Sequence, residues 1–151
     1  MPTRVLMVCL GNICRSPLAE GIFRHQVDLA GRASDFVIDS AGTGGWHAGE
    51  SPHPGSLEIA AAHGIDIGHQ RSRKVTAAEI SSWDWVIAMD ASNRRNLLNL
   101  GSPPDRTRLL LGFTPHGVDR DVPDPYYEGG FDRVYEMIEE SCRNLLDFLT
   151  P

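Results

Sequence analysis

Apolar and polar positions follow two different periods along the chain, and the switches between them divide it into strands and helices. From Arg4 to Cys9 the run is nearly continuous in apolar residues and ends at Gly11, the pattern of a strand covered on both faces, as in a parallel sheet. A helix is predicted to follow. Ser16 can cap it, Pro17 suits its first turn, and Leu18, Ile22, Phe23 and Val27 recur on one side before Gly31 stops it. Phe36 to Ser40 reads as a second strand, followed by a Gly-rich loop and a helix from about Gly55 to His63 that Gly64 ends. Trp85 to Met89 reads as a third strand, Asp90 can cap the helix that runs on to Leu100, and Arg108 to Leu111 is the expected fourth strand. The last helix carries the clearest stripe: Phe131, Val134, Tyr135, Ile138, Cys142, Leu145, Leu146 and Leu149 recur at helical spacing. Thr114 to Gly130, rich in Pro, Gly and Asp, reads as a long irregular loop, and such loops inside small domains are often functional.

Strands alternating with helices imply an α/β domain of three layers, a parallel sheet with helices on both faces, in which ligands sit beyond the carboxyl ends of the strands. Cys9 lies at such an end. The 151 residues suit one domain, and 41% hydrophobic with 23% charged residues argues against wholesale disorder. The longest apolar stretches fall far short of the ~20 residues of a bilayer span, and Met1 to Arg4 lacks a signal-peptide pattern, so a soluble cytoplasmic chain without a membrane partner is expected. Fourteen basic against twenty acidic side chains give a net charge of -6, which argues against nucleic acid as a partner. Any anion is therefore bound locally. Three cysteines, two of them close together at Cys9 and Cys14, make a poor disulfide framework but fit a reducing cytosol or thiol chemistry.

The segment Cys9-Leu10-Gly11-Asn12-Ile13-Cys14-Arg15-Ser16 joins the first strand to the first helix, with a cysteine at one end and an arginine six residues on. A loop of five residues between them can curl so that successive backbone N–H groups point inward, and the helix N-terminus adds its positive dipole end to the same place. That arrangement cradles an oxyanion such as inorganic phosphate. Gly11 and Asn12 tolerate the left-handed conformations a tight curl demands, and the planar fork of Arg15 matches two phosphate oxygens. Cys9 then sits beneath the anion, where the same N–H groups favour thiolate and make it a nucleophile. Ser16 can donate a hydrogen bond to it. Alternatively, Cys9 is a small buried hydrophobe at a strand end.

The run VCLGNICRSPLAE (residues 8–20), with SAGTGGW (40–46), MDASN (89–93) and DPYY (124–127), resembles the low-molecular-weight protein tyrosine phosphatases over nearly the whole chain. The resemblance implies one phosphatase domain over residues 1–151, a four-stranded parallel sheet with helices on both faces, and hydrolysis of phosphotyrosine proteins or peptides through a phosphocysteine. No metal or cofactor is implied. Cys9 would be the nucleophile, Leu10 to Arg15 would bind the phosphate, and Asp124 would protonate the leaving phenol. Asp124-Pro125 is also an ordinary turn starter, and both roles can coexist. Asn12, Ser16 and Ser40 would support the curled loop, while Leu10, Ile13, Trp46, Tyr126 and Tyr127 would line the mouth, the two tyrosines also being possible phosphorylation sites. Cys14 would form a reversible disulfide with Cys9 under oxidation, whereas Cys142, on the apolar stripe, is expected in the core.

The six histidines show no metal-ligand spacing and no G-x-S-x-G occurs. Where members of the family often carry a histidine before a basic-small-Arg run, this chain has Gln70-Arg71-Ser72-Arg73, so that histidine's contribution is absent or moved to His69. Three other functions share the phosphate-loop idea. A thiol-based arsenate reductase needs further cysteines, and residues 65 to 100 contain none. A protein-arginine phosphatase typically carries threonine where this chain has Ile13. A phosphocysteine carrier needs neither Arg15 nor Asp124. The expected oligomeric state is a monomer.

Overall fold

The N-terminal apolar run forms β1 (Thr3–Cys9), in which Val5, Leu6, Met7 and Val8 are wholly inaccessible to solvent. Burial of consecutive residues requires cover on both faces of a strand. β1 lies between β2 (Phe36–Gly42) and β3 (Trp85–Ala88), and β4 (Thr107–Leu109) completes a parallel sheet of order β2-β1-β3-β4. The helices are α1 (Arg15–Leu29), α2 (Pro54–Ala62), α3 (Ala91–Leu100), the single-turn α4 (Pro125–Glu128) and α5 (Phe131–Leu149). The structure, a computed structural model, describes residues 1–114 and 120–150; the side chains of Tyr127 and Glu128 are outside the described set.

Alternate residues of β1 sort into two cores. Val5, Met7 and Cys9 pack with Leu18, Ile22 and Phe23 of α1, Ala60 of α2 and Val134, Ile138 and Leu145 of α5. Leu6 and Val8 face the other way, onto Leu97 of α3 with Ile80, Trp83 and Val86. The expected three-layer α/β fold is therefore present, and Cys142 is in the core as expected, 0% exposed. Residue pairing runs from Thr3 with Phe36 to Cys9 with Gly42, so β2 extends two residues past its expected end at Ser40. Cys9, Gly42 and the residues after Ala88 consequently share the carboxyl edge of the sheet.

Three expectations are corrected. The fourth strand ends at Leu109, and Leu110 and Leu111 form part of a 3-10 turn (Leu110–Phe113) that sends both side chains into one core. A strand would split them between faces; a short apolar run cannot distinguish the two cases. α1 begins at Arg15, with Cys14 as its N-cap residue and no side-chain capping bond. Ser16 lies inside the helix because its hydroxyl is taken by the loop before it, at 3.0 Å from Cys9 Sγ. The stretch expected to be irregular up to Gly130 contains α4, which Asp124 caps.

Candidate active site

The loop between β1 and α1 is held from beneath by buried polar side chains. Asn12 takes the left-handed conformation, φ 56°, as the only non-glycine residue with positive φ among the described residues; an Asn side chain offsets that conformation by bonding locally. Its Nδ2 donates to Ser16 Oγ (2.8 Å) and Ser40 Oγ (3.0 Å), and its Oδ1 accepts from the Arg73 N–H (3.0 Å). Asn12 N–H points back at Cys9 Sγ, 3.3 Å away, and the Ser16 hydroxyl is 3.0 Å from the same sulfur. Cys9 is 2% exposed. Both groups thus converge on the one sulfur. The loop also presses onto the end of β2: a Cβ on Gly42 would lie 2.7 Å from the Leu10 carbonyl, so only glycine fits there.

Arg15 enters from the first turn of α1 and is nearly inaccessible, 3% exposed. A guanidinium so buried requires partners. Its Nη1 donates to Asp90 Oδ2 (2.7 Å) and the Val122 carbonyl (3.0 Å), and its Nη2 stands 3.6 Å from Asp124 Oδ2. Burial opposes its charge, but Cys9, Asp90 and Asp124 around it outweigh that and raise it above the ordinary arginine value. Asp124 uses its other oxygen, Oδ1, to accept the Tyr126 N–H (3.0 Å). Asp124 thus caps α4 with one oxygen, as its turn-starting reading expected, and faces Arg15 with the other. Its segment is tied to the sheet edge by Val122 N–H to the Met89 carbonyl and Ala91 N–H to Asp121 Oδ1.

Above Cys9 opens a cleft of about 230 Å³ lined by Cys9, Leu10, Gly11, Ile13, Cys14, Arg15, Trp46, His47, Asp124 and Tyr126. Trp46 and Tyr126 are 72% and 45% exposed, so they form a rim rather than a core. Trp46 lies flat over Gly44, where a Cβ would collide with the indole at 1.9 Å. Burial, with the neighbouring negative charges of Cys9 and Asp124, pushes the Cys14 thiol up to about 12 against the opposing pull of Arg15. The side chain of Tyr127 is outside the described residues. His69 is exposed; Gln70 instead turns inward and donates to the Pro17 carbonyl, and Ser72 Oγ braces the Gly11 carbonyl at 2.8 Å.

Four residues of this neighbourhood escaped the sequence reading: His47 on the cleft wall, Ser72 behind Gly11, Asp90 on Arg15, and Glu20, a buried carboxylate bonded to Ser40 Oγ at 2.7 Å. Asp90 was legible only as a helix cap, which it also is, accepting Asn93 N–H at 2.7 Å. The signal that could have found it is its place directly after the third strand, at the edge that already held Cys9.

The model of the family described as low molecular weight phosphotyrosine protein phosphatase matches residues 4–150. The chain belongs to that family. Low molecular weight protein-tyrosine-phosphatase YfkJ of Bacillus subtilis is 42% identical over 144 residues, 94% of this chain and 92% of the relative. The low molecular weight phosphotyrosine protein phosphatase of Schizosaccharomyces pombe is 41% identical over 148 residues, 95% and 94% of the two chains. The crystal structure of YfkJ matches with a TM-score of 0.95 at 40% identity, over 99% of this chain and 95% of that one. DARP, a Drosophila arginine phosphatase, matches with a TM-score of 0.88 at 32% identity, over 97% and 98%. As a member of this family, the protein is a phosphatase of the hydrolase class. No helix among the described residues is long and apolar enough to cross a membrane.

Proposed function

We propose that the protein hydrolyses phosphotyrosine in proteins or peptides, and aryl phosphates generally, by two in-line displacements at phosphorus. In the first, Cys9 Sγ forms a bond to phosphorus, the phosphorus–oxygen bond breaks, and its electron pair leaves on the phenolic oxygen, which takes a proton from Asp124. In the second, water attacks the phosphocysteine while the Asp124 carboxylate takes its proton, and the sulfur–phosphorus bond breaks to restore thiolate and release phosphate. Arg15 and the N–H groups of Leu10 to Arg15 hold the equatorial oxygens throughout. Every step uses side chains of a single chain, so a monomer suffices, and three free thiols fit a reducing compartment such as the cytoplasm.

One observation carries the reading: Cys9 and Arg15, from the two ends of one loop, and Asp124, from a segment more than a hundred residues away, line one cleft. A phosphocysteine carrier has no use for the latter two. An arsenate-reducing relay needs a further accessible thiol, whereas Cys142 is wholly buried in α5. The likeness to DARP makes phosphoarginine the second substrate to weigh. Ile13, which faces the cleft, offers nothing to a guanidinium, and each unpaired N–H costs roughly 1–3 kcal/mol. Trp46 and Tyr126 suit a flat ring. Phosphoserine is too short to reach Cys9 past them. Matched peptides carrying phosphotyrosine, phosphoarginine and phosphoserine test this. The expected kcat/KM favours phosphotyrosine by about tenfold or more over phosphoarginine, and equal or better turnover of phosphoarginine overturns the tyrosine assignment.

A further inference from the structure

The hydrogen bonds behind Cys9 form an unbroken chain that ends on a carboxylate. Glu20, 4% exposed, projects from the second turn of α1 toward β2. Its Oε2 accepts Arg24 Nε at 3.0 Å, and its Oε1 receives the Ser40 hydroxyl at 2.7 Å. Arg24, half-exposed, also donates to the Ile38 carbonyl, so its fork spans Glu20 and the backbone of β2.

The order of donors and acceptors along this chain follows from its far end. Arginine only donates, so Oε2 must accept, and the ionised carboxylate accepts at Oε1 as well. The single proton of Ser40 is thereby committed to Glu20, and Ser40 Oγ can only accept from its other neighbour, Asn12 at 3.0 Å. That fixes the Asn12 amide with its NH2 toward the two serines and its Oδ1 toward the Arg73 N–H, as found. The second Asn12 hydrogen then enters Ser16 Oγ at 2.8 Å. Ser16 has one proton left, and Cys9 Sγ at 3.0 Å is a nearer acceptor than the Ala41 carbonyl at 3.5 Å. We infer that Glu20, pinned by Arg24, is a positioning residue for the phosphatase reaction: it sets the polarity of the chain Glu20–Ser40–Asn12–Ser16, so that the Ser16 proton is aimed at the Cys9 thiolate. A neutral side chain at position 20 that could donate would let Ser40 reverse, and with it the proton facing sulfur. Arg15 interacts with the charges of Cys9, Asp90 and Asp124, and the Cys14 thiol with those of Cys9, Asp124 and Arg15, while among the described residues the hydrogen bonds and ion pair of Glu20 go to Arg24 and Ser40.

The inference rests on Cys9 being the nucleophile, and Cys9 alkylation separates the two claims. In the unmodified protein, iodoacetate should inactivate through Cys9 with a pH-dependent rate; alkylation of Cys9 that spares activity defeats the nucleophile assignment itself. Glu20→Gln keeps the volume but adds a donor. It should move the pH midpoint of Cys9 alkylation upward and lower kcat/KM for para-nitrophenyl phosphate at acidic pH by about tenfold, the scale of one lost hydrogen bond to a charge. Because the effect travels through Ser40, the same substitution in a Ser40→Ala background should leave the alkylation midpoint where Ser40→Ala alone puts it. If Glu20→Gln does not fold, Arg24→Gln, at a half-exposed position, should shift the midpoint in the same direction by a smaller amount. A midpoint unchanged in the folded variants, or shifted equally with and without Ser40, overturns the role of Glu20.

Discussion

The two segments that would perform the chemistry are built on different principles. The loop from Cys9 to Ser16 is contiguous and, apart from Leu10 and Gly11, buried; it is fixed by bonds to Ser40, Ser72 and Arg73 and runs into a fifteen-residue helix. Asp124 stands on a single helical turn, partly exposed, tied in by the backbone of Val122 and by Asp121. In the proposed mechanism the first segment holds an anion against a nucleophile in unchanging geometry, which rigidity serves. The second gives up a proton and takes one back there, and contact with water serves that. In that mechanism, stability and proton exchange fall to separate pieces of chain that meet at Arg15, bonded to Asp90 and the Val122 carbonyl and facing Asp124.

The comparison is broken most severely on the rigid side. Cys9→Ser should abolish turnover, because a serine hydroxyl in this loop is not ionised, while the loop and Arg15 still bind phosphate. Steady-state rates and phosphate binding by calorimetry check both halves, and substantial residual hydrolysis would remove the phosphocysteine. Asp124→Asn should be the next largest. It keeps the cap on Tyr126 N–H, since Asn caps as well as Asp, but removes the proton, costing on the order of 10²-fold in kcat or more with aryl substrates of poor leaving group. Phenyl phosphate should suffer far more than para-nitrophenyl phosphate, whose phenolate leaves unaided, and equal losses on the two would return Asp124 to a capping role alone.

How far each segment could be read from the sequence follows the same division. The Cys9-to-Arg15 loop was legible because its requirements are local: a thiol at a strand end, small or polar residues that can curl, and an arginine on the first turn of a helix. β1 and the stripe of α5 were legible because burial imposes a period that sequence displays directly. Asp124 was visible through its likeness to a known loop, not through physics, since Asp-Pro also starts turns. Asp90 and Glu20 were not legible as site residues. Each is brought to its partner by folding over a span that no local pattern records, 75 residues to Arg15 for Asp90 and 20 to Ser40 for Glu20. Ser16 was read both as a helix cap and as a partner of Cys9, two roles one hydroxyl can fill, and the fold decides for Cys9, 3.0 Å away.

The meeting point of the two segments can be tested without disturbing either. Asp90→Asn preserves the cap of α3, because an Asn side-chain oxygen accepts from Asn93 N–H as Asp does, but it takes a full charge away from Arg15 Nη1. With only the Val122 carbonyl and the more distant Asp124 left, Arg15 should swing toward Asp124 and hold phosphate less well. The expected result is a loss of about tenfold in kcat/KM, a weaker competitive inhibition by phosphate, and a thermal midpoint little changed. A large fall in the thermal midpoint with normal phosphate inhibition would assign Asp90 to the helix alone.

The smallest effect lies behind the rigid loop, at the ion pair of Arg73, and it is read in stability. Arg73, whose N–H holds Asn12, has its guanidinium gripped by Glu79 through two bonds of 2.9 Å and by Asp39 at 3.1 Å. Burial alone would raise Glu79, but hydrogen bonds from Arg73 and from the Thr76 N–H and hydroxyl outweigh it and bring the carboxyl down to about 2. A carboxyl depressed in the folded state stabilises the protein fully above its unfolded value of about 4.3, and that contribution disappears as pH falls toward about 2. Glu79→Gln should therefore lower the urea midpoint at pH 7 by an amount equivalent to ~1–2 kcal/mol, partial exposure of the pair keeping it modest. The gap between variant and unmodified protein should close as pH is lowered from about 4 to 2. Activity of the variant at pH 7 should fall less than in Asp90→Asn, since Asn12 keeps its bonds to Ser16 and Ser40 when the guanidinium loosens. A stability gap that stays constant down to pH 2 would show that Glu79 acts by packing rather than by charge, and would leave Asp39 as the anchor of this side of the loop.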